Sequence, residues 1–271
     1  MKLLEVDAAD LAGHAGTLRE LFEGRLTGMV IHGAFTPTEA AAVVERLERG
    51  DFGLEKQPSN AFKGETYGRV LIVGERDLGP YFSEASRFRD ACVPLFAGAA
   101  PFQARVEALL GAVGGDYGIA VPKGPDGAAY SPATIRGLHE GGQIDLHCEN
   151  ETVDFPSMWH LSRLIHARNQ LSYYVLLARP EAGGELHIHN ARFGEESGAR
   201  MAHMGRTGNA ALQALEQFGH AVPYTNAGDM LVFDSGRHFH HVSPVVGQRK
   251  RWTMGGFLAR SIDDRTVYYW S

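Results

Sequence analysis

The sequence predicts a mainly β protein with flanking helices (α+β), in which a β core of barrel or sandwich type follows a mixed, largely helical N-terminal layer. Three observations carry this reading. Before about residue 115 apolar residues recur at helical spacing; from Tyr117 the chain breaks into short β-type runs punctuated by Gly and Pro; and hydrophobic residues make up 44% of 271, enough for a sizeable core. No internal repeat, low-complexity stretch or linker divides the chain. Residues 1–271 are therefore expected to form one domain, with the outer layer over about 1–115 and the β core over about 116–271.

Taken in order, a short strand is expected at Leu3 to Val6, a helical turn around Leu18 to Phe22, and a buried strand in Gly28-Met-Val-Ile-His-Gly. Thr36-Pro-Thr-Glu39 opens a helix: Thr caps it, Pro suits the first helical position and Glu closes a capping box. That helix reaches about Leu47, and Gly50 ends it. Residues 51–66 read as polar and irregular, Tyr67 to Gly74 as a strand, and 83–97 and 102–113 as amphipathic helices. Candidate core strands are 117–121, 129–138, 143–148, 170–178, 184–189, 229–234, 238–245, 250–260 and 266–270. Two insertions interrupt them: 150–168, with a short helix near Trp159, and 190–220, with a helix from Ala210 to Phe218. Loops of that length in a β core commonly serve as lids or substrate loops.

Composition narrows the function. Lys+Arg 26 against Asp+Glu 32 gives a net charge of −6 without a basic block, which argues against a nucleic-acid groove. The opening MKLLEVDAADLAGHAG turns acidic before any apolar stretch long enough for a signal peptide, and no run approaches the ~18 apolar residues of a membrane span. A cytoplasmic protein acting on a small molecule is expected, and its oligomeric state is not legible. Two cysteines build neither a disulfide framework nor a Cys-rich zinc site, whereas histidines number thirteen.

Two stretches concentrate chemistry: Gly141-Gly-Gln-Ile-Asp-Leu-His147-Cys-Glu149 and Gly228-Asp-Met-Leu-Val-Phe-Asp-Ser-Gly-Arg-His-Phe-His240-His-Val-Ser-Pro. In a strand, His147 and Glu149 share a face, and Cys148 points to the opposite one as a small core residue. One distant histidine would complete a two-His, one-carboxylate set that leaves metal positions open for substrate and dioxygen, the pattern of non-haem Fe(II) oxygenases. By spacing, His238, His240 and His241 all compete for that place. Downstream, Arg249-Lys-Arg251 offers two guanidinium groups on one strand face, suited to anchoring the far carboxylate of a chelating co-substrate.

The order H-x-E, G-D-M-L-x-F, H-x-V-S-P-V and then Arg resembles the Fe(II)/2-oxoglutarate dioxygenases of the double-stranded β-helix (jelly-roll) fold. Within them the chain is most similar to the carrier-free aliphatic halogenases of welwitindolinone- and hapalindole-type alkaloid pathways and to the N-substituted amino acid hydroxylases. Gly124-Pro-Asp-Gly, Tyr130-Ser-Pro-Ala-Thr-Ile-Arg136, Gln170-Leu-Ser-Tyr, Pro180-Glu-Ala-Gly-Gly-Glu-Leu, Arg251-x-Thr-Met-Gly-Gly-Phe-Leu and the final Tyr-Tyr-Trp-Ser carry the likeness over nearly the whole chain. The resemblance implies Fe(II), 2-oxoglutarate and O2 as cofactors and co-substrates. It makes His147, Glu149 and His240 the metal ligands and Arg251 the 2-oxoglutarate anchor, with Arg136 and Arg249 as further candidates; Ser172 matches a serine beside the metal. The halogenases carry glycine at the position of Glu149, where halide takes the vacant site, and the hydroxylases usually carry aspartate. Glu149 can fill that site, which favours hydroxylation of an unactivated aliphatic C–H with release of succinate and CO2.

Three readings compete: a halogenase of the same branch, a non-catalytic 2-oxoglutarate or metal sensor, and a cupin-type metalloenzyme using His187, His189 and Glu195 with a histidine from the 238–241 cluster. Phe155, Trp159 and Arg163 on the first insertion, and Tyr67 and Arg69 on an N-terminal strand, are candidate substrate contacts, against core packing for Trp159 and an exposed strand end for Tyr67 and Arg69. Arg69, Arg163 and Arg168 point to an anionic substrate, amino-acid-derived or natural-product-like. His139, His160, His166, His203 and His220 show no partner pattern.

Overall fold

The computed structural model describes residues 1–58, 62–71, 76–195 and 209–271, with backbone alone at 58 and 209–211. In its N-terminal part, strands β1 (Leu3–Asp7), β2 (Gly28–His32), β3 (Gln57–Pro58) and β4 (Gly64–Tyr67) are interleaved with helices α1 (Thr17–Phe22), α2 (Pro37–Arg49), α3 (Gly79–Leu95) and α4 (Phe102–Gly114). There follow β5 (Gly118–Ala120), β6 (Thr134–Leu138), β7 (Ile144–His147), β8 (Leu171–Ala178), β9 (Ala182–Gly183) and β10 (Leu186–Arg192). Helix α5 (Asn209–Glu216) precedes β11 (His220–Ala221), β12 (Met230–Phe233), β13 (His238–Val242), β14 (Val245–Val246), β15 (Arg251–Arg260) and β16 (Thr266–Trp270).

The major sheet runs β1-β2-β12-β8-β15-β6-β4-β3, with β16 beside β15 and β5 beside β16; the minor sheet runs β11-β10-β13-β7. Period-two alternation decides how they stack. From the major sheet, Tyr173, Val175, Val232, Trp252 and Met254 point one way and pack with Val43 and Leu47 of α2, Phe88 of α3 and Val106 and Leu110 of α4. Their neighbours Val30, Leu231 and Phe233 point the other way and meet Leu186, Ile188 and Val242 of the minor sheet. Two facing sheets with helices on the back of the larger form the jelly-roll core with flanking helices.

Local chemistry fixes the joints. Glu39 N donates to Thr36 Oγ1 (3.2 Å) and Thr36 N donates to Glu39 Oε2 (2.7 Å), closing the capping box of α2, and Gly50 ends that helix at φ 71°. Asp229 pins the start of β12 to the end of β2, accepting from Gly33 N (2.9 Å) and Asn226 N (2.7 Å) while bonding His32 Nδ1 (2.9 Å).

Two expected elements shift. The strand expected from Tyr67 to Gly74 lies earlier, because Gly68 turns at φ 83° against the Phe88 ring and β4 ends at Tyr67; residues 72–75 lie outside the described ones. The run 129–138 contributes only Thr134–Leu138, since Pro132 has no N–H for a ladder. Helix α5 matches the expectation in the second insertion, of which 196–208 are outside the described residues.

Strands β8 and β15 approach so closely at Gly255 that a Cβ there would sit on the Tyr173 carbonyl and 2.6 Å from Tyr174 Cα. Gly255→Ala is expected to destabilise the fold by about 2–3 kcal/mol, read as a lower urea midpoint. An unchanged midpoint would mean that the two backbones have slack to separate.

Candidate metal centre

The centre begins with a register irregularity. His240 of β13 stands directly opposite His147 of β7, but the next pair is Val242 with Ile144, so three steps on β7 match two on β13. This β-bulge turns both Ile144 and His147 inward, although residues three apart lie on opposite faces of a regular strand. Cys148 continues extended at φ −147°, ψ 133°, and Glu149 opens a 3-10 turn, Glu149–Glu151. The carboxylate thus returns to the side of His147 through Cys148, although the strand itself has ended. Cys148 points away and is buried with Leu146, Ala191, Leu215 and Phe239.

Backbone carbonyls orient both imidazoles. His147 Nδ1 donates to Asp145 O (2.7 Å) and His240 Nδ1 to His238 O (2.9 Å); a carbonyl only accepts, so each Nδ1 carries a hydrogen and each Nε2 is the nitrogen left facing Glu149, where a metal would bind. Glu149 Oε1 lies 3.6 Å from His147 Nε2 and 3.4 Å from His240 Nε2. Among the described residues this is the group whose three donor atoms all lie within 4.8 Å of one another. Glu149 is 5% exposed. Burial alone would raise its pKa, but the imidazoles of His240 and His147 hold it well below the usual carboxylate range. Its Oε2 is buried without a hydrogen-bond partner. Two inward Nε2 nitrogens and an ionised carboxylate with an orphaned oxygen fit a divalent iron held by two histidines and one carboxylate.

The pocket around this centre spans about 590 Å³, part of it open to solvent. Its apolar wall includes Ile144, Leu186, Phe233, Val242 and Phe257, and its polar wall includes Arg136, Ser172, Arg251 and Thr253. Ser172 Oγ donates to Glu149 Oε1 (3.2 Å) and lies 2.8 Å from Ser235 Oγ. The Arg251 guanidinium is buried, 5.2 Å from the centre of the Tyr174 ring. Tyr174 and Ser235 were missed from sequence; the signal for Tyr174 was available, because it shares a strand face with Ser172.

Several expected site residues are placed elsewhere. Arg249 is exposed, bonds Pro180 O (3.3 Å) and precedes β15, so it does not share the pocket face of Arg251. Tyr67 pairs with Ile135 and faces the helices, stacked near Trp252 with its hydroxyl donating to Leu47 O (3.2 Å). Trp159 donates from Nε1 to Arg76 O (3.0 Å), and Arg163 lies over its ring at 5.4 Å. Its neighbours Met158 and Leu161 are buried in a cluster with Trp270 and Phe257, and the half-buried Trp159 ring packs against that cluster. Phe155, Arg163 and Arg168 are exposed and Arg69 is half-buried; none of them lines the pocket described above. The cupin arrangement fails on strand parity: Ile188 pairs with His240 and faces inward, which sends His187 and His189 to the outer face of the minor sheet. His238 is buried with Nδ1 donating to His189 O (2.8 Å), and His241 faces outward opposite His187.

A jelly roll holding this two-histidine, one-carboxylate centre defines the class of Fe(II)/2-oxoglutarate-dependent oxygenases. Within it the chain matches, over residues 1–271, the family described as carrier-protein-independent halogenase WelO5, and it belongs to that family. Among solved structures it is similar to an N-substituted L-amino acid dioxygenase from Burkholderia ambifaria AMMD in complex with alpha-KG. That match has a TM-score of 0.56 and 15% identity, covering 96% of this chain and 90% of that one. A second structure of an N-substituted L-amino acid dioxygenase from the same organism gives 0.54 and 16%, covering 96% and 91%. A 2OG-Fe(II) oxygenase family oxidoreductase from Burkholderia pseudomallei gives 0.48 and 16%, covering 98% and 99%. The first two likenesses concern the fold. No curated protein matches the chain.

Removing the Ser172 hydroxyl takes a hydrogen bond from Glu149 without touching the imidazoles. Ser172→Ala is expected to weaken Fe(II) binding about 10–100-fold in an anaerobic titration. Unchanged affinity would assign the hydroxyl to local backbone needs.

Proposed function

We propose that this oxygenase is a hydroxylase, which inserts oxygen into an unactivated aliphatic C–H of a small amino-acid-derived or natural-product-like molecule and releases succinate and CO2. The observation that carries this reading is Glu149: its carboxylate stands between the two histidine nitrogens, where the resembling halogenases have no side chain to offer. His147, Glu149 and His240 would hold the iron. Bound Fe(II) with 2-oxoglutarate and O2 supplies the oxidising chemistry.

The chain's own groups do the rest. Arg251, buried on the polar wall, is positioned to take the far carboxylate of 2-oxoglutarate in a two-pronged hydrogen bond, and Arg136 adds positive charge on the same wall. Ser172 steadies the Glu149 oxygen that faces the imidazoles. Phe233, Phe257 and Leu186 keep water from the reacting region and offer an apolar surface to an aliphatic substrate. Membership of a halogenase family favours the second reading, chlorination, which requires a halide to compete with a carboxylate held by two imidazoles and a serine.

Anaerobic addition of Fe(II) and 2-oxoglutarate to wild type is expected to produce a metal-to-ligand charge-transfer absorption. Oxygen, chloride and a panel of N-substituted amino acids and alkaloid-like molecules should then give succinate and a product heavier by one oxygen. Chlorinated product from wild type would establish the halogenase; absence of the absorption would remove the oxygenase mechanism; the absorption without any succinate, with or without panel members, would support a non-catalytic sensor. Chlorination is expected only after Glu149→Gly. Arg251→Lys keeps the charge but loses the fork, and the Kd for 2-oxoglutarate is expected to rise about tenfold or more in the same titration. An unchanged Kd would move the anchor to Arg136.

A further inference from the structure

The outer face of the minor sheet gathers four imidazoles that the iron centre does not use. His187 and His189 are two apart on β10 and so share a face; His187 lies directly opposite His241 of β13, and His189 directly opposite His220 of β11. Ring centroids are 4.6 Å apart for His187 and His241, 5.0 Å for His189 and His241, 5.1 Å for His187 and His220, and 5.7 Å for His189 and His220. His189 Nε2 and His241 Nδ1 are 2.9 Å apart, close to the ~3.3 Å between two nitrogens on one tetrahedral zinc ion. His189 is 4% exposed, and its other nitrogen, Nδ1, is buried with no partner. The 2.9 Å contact is a hydrogen bond between the two rings, so these two nitrogens already face one shared position that an ion could take in place of the hydrogen.

We propose that His187, His189, His220 and His241 form a second metal site, separate from the iron centre, that takes a zinc-type divalent ion. Imidazole ligands suit Zn2+, and four of them match its tetrahedral preference. Burial, followed by the neighbouring imidazoles, pushes His189 down to about 3, so it stands neutral in the form that binds metal. In the present rotamers no three of these nitrogens lie within 4.8 Å of one another among the described residues, so binding requires ring rotation. The half-buried His187 and the exposed His220 are the rings placed to turn. A bound ion would clamp β11, β10 and β13, and β13 carries His240 on its opposite face.

The test counts Zn2+ ions bound by metal-free full-length protein, by calorimetry and by elemental analysis after desalting. Wild type is expected to bind two equivalents. His187→Ala/His220→Gln should bind one, and His147→Ala should also bind one, now at the outer site. His220→Gln alone, at an exposed strand end, should weaken one of the two sites tenfold or more if the double variant does not fold. One equivalent in wild type that His187→Ala/His220→Gln retains and His147→Ala loses, two in His187→Ala/His220→Gln, or an unaltered pair of affinities in His220→Gln overturns the second site. None of these readouts depends on hydroxylation, so the outcome stands apart from that of the proposed reaction.

Discussion

A carboxylate sealed from water has to be matched by positive charge or hydrogen-bond donors, and the arrangement around Glu149 answers that requirement. Its partners come from four places in the chain: His147 on β7, His240 on β13, Ser172 on β8, and Arg136 on β6 at longer range. They can meet only because the two sheets face each other across the pocket. A charge buried this way costs about 3–5 kcal/mol when one partner is lost, so the site and the sheet packing support each other.

The same geometry separates the pocket into two chemical regions. Guanidinium groups and hydroxyls stand on β6, β8 and β15, whereas Ile144, Leu186 and Val242 of the minor sheet, with Phe233 of β12 and Phe257 of β15, make the apolar lining. Ligands carried on paired strands are held more rigidly than ligands on loops, and both imidazoles are oriented further by backbone carbonyls. Glu149, at the start of a 3-10 turn, is the one metal-facing side chain placed just beyond a strand. It is also the residue on which the proposed hydroxylation rests.

Much of the fold was legible because the signals are local. The Thr36-Pro-Thr-Glu39 box, the Gly50 stop and the alternation along 170–178 and 250–260 produce their structures through contacts a few residues apart. Other expectations needed information from distant parts of the chain. Tyr67 stands on a strand as an aromatic residue that could face either way, and its pairing with Ile135 turns it toward the helices. Arg249 and Arg251 alternate correctly only if the strand includes both, and β15 begins at Arg251. His220 has no partner in its own neighbourhood of the sequence; its partners are 31 and 33 residues away on β10, by subtraction from His189 and His187.

By itself the sequence determined which residue types stand at short range: the His-x-Glu pair, the histidine cluster from 238 to 241, and an arginine ahead of a glycine-rich strand. Local dihedral preferences and side-chain chemistry are enough for that. Only the tertiary structure decided which histidine meets Glu149 and which face the outside. The bulge between β7 and β13 turns His147 inward, and the register of β10 with β13 separates His240 from His241. The physical reason is that a strand's side chains alternate, so a one-residue change in pairing exchanges the buried and exposed faces, and pairing is set by packing between segments far apart in the chain.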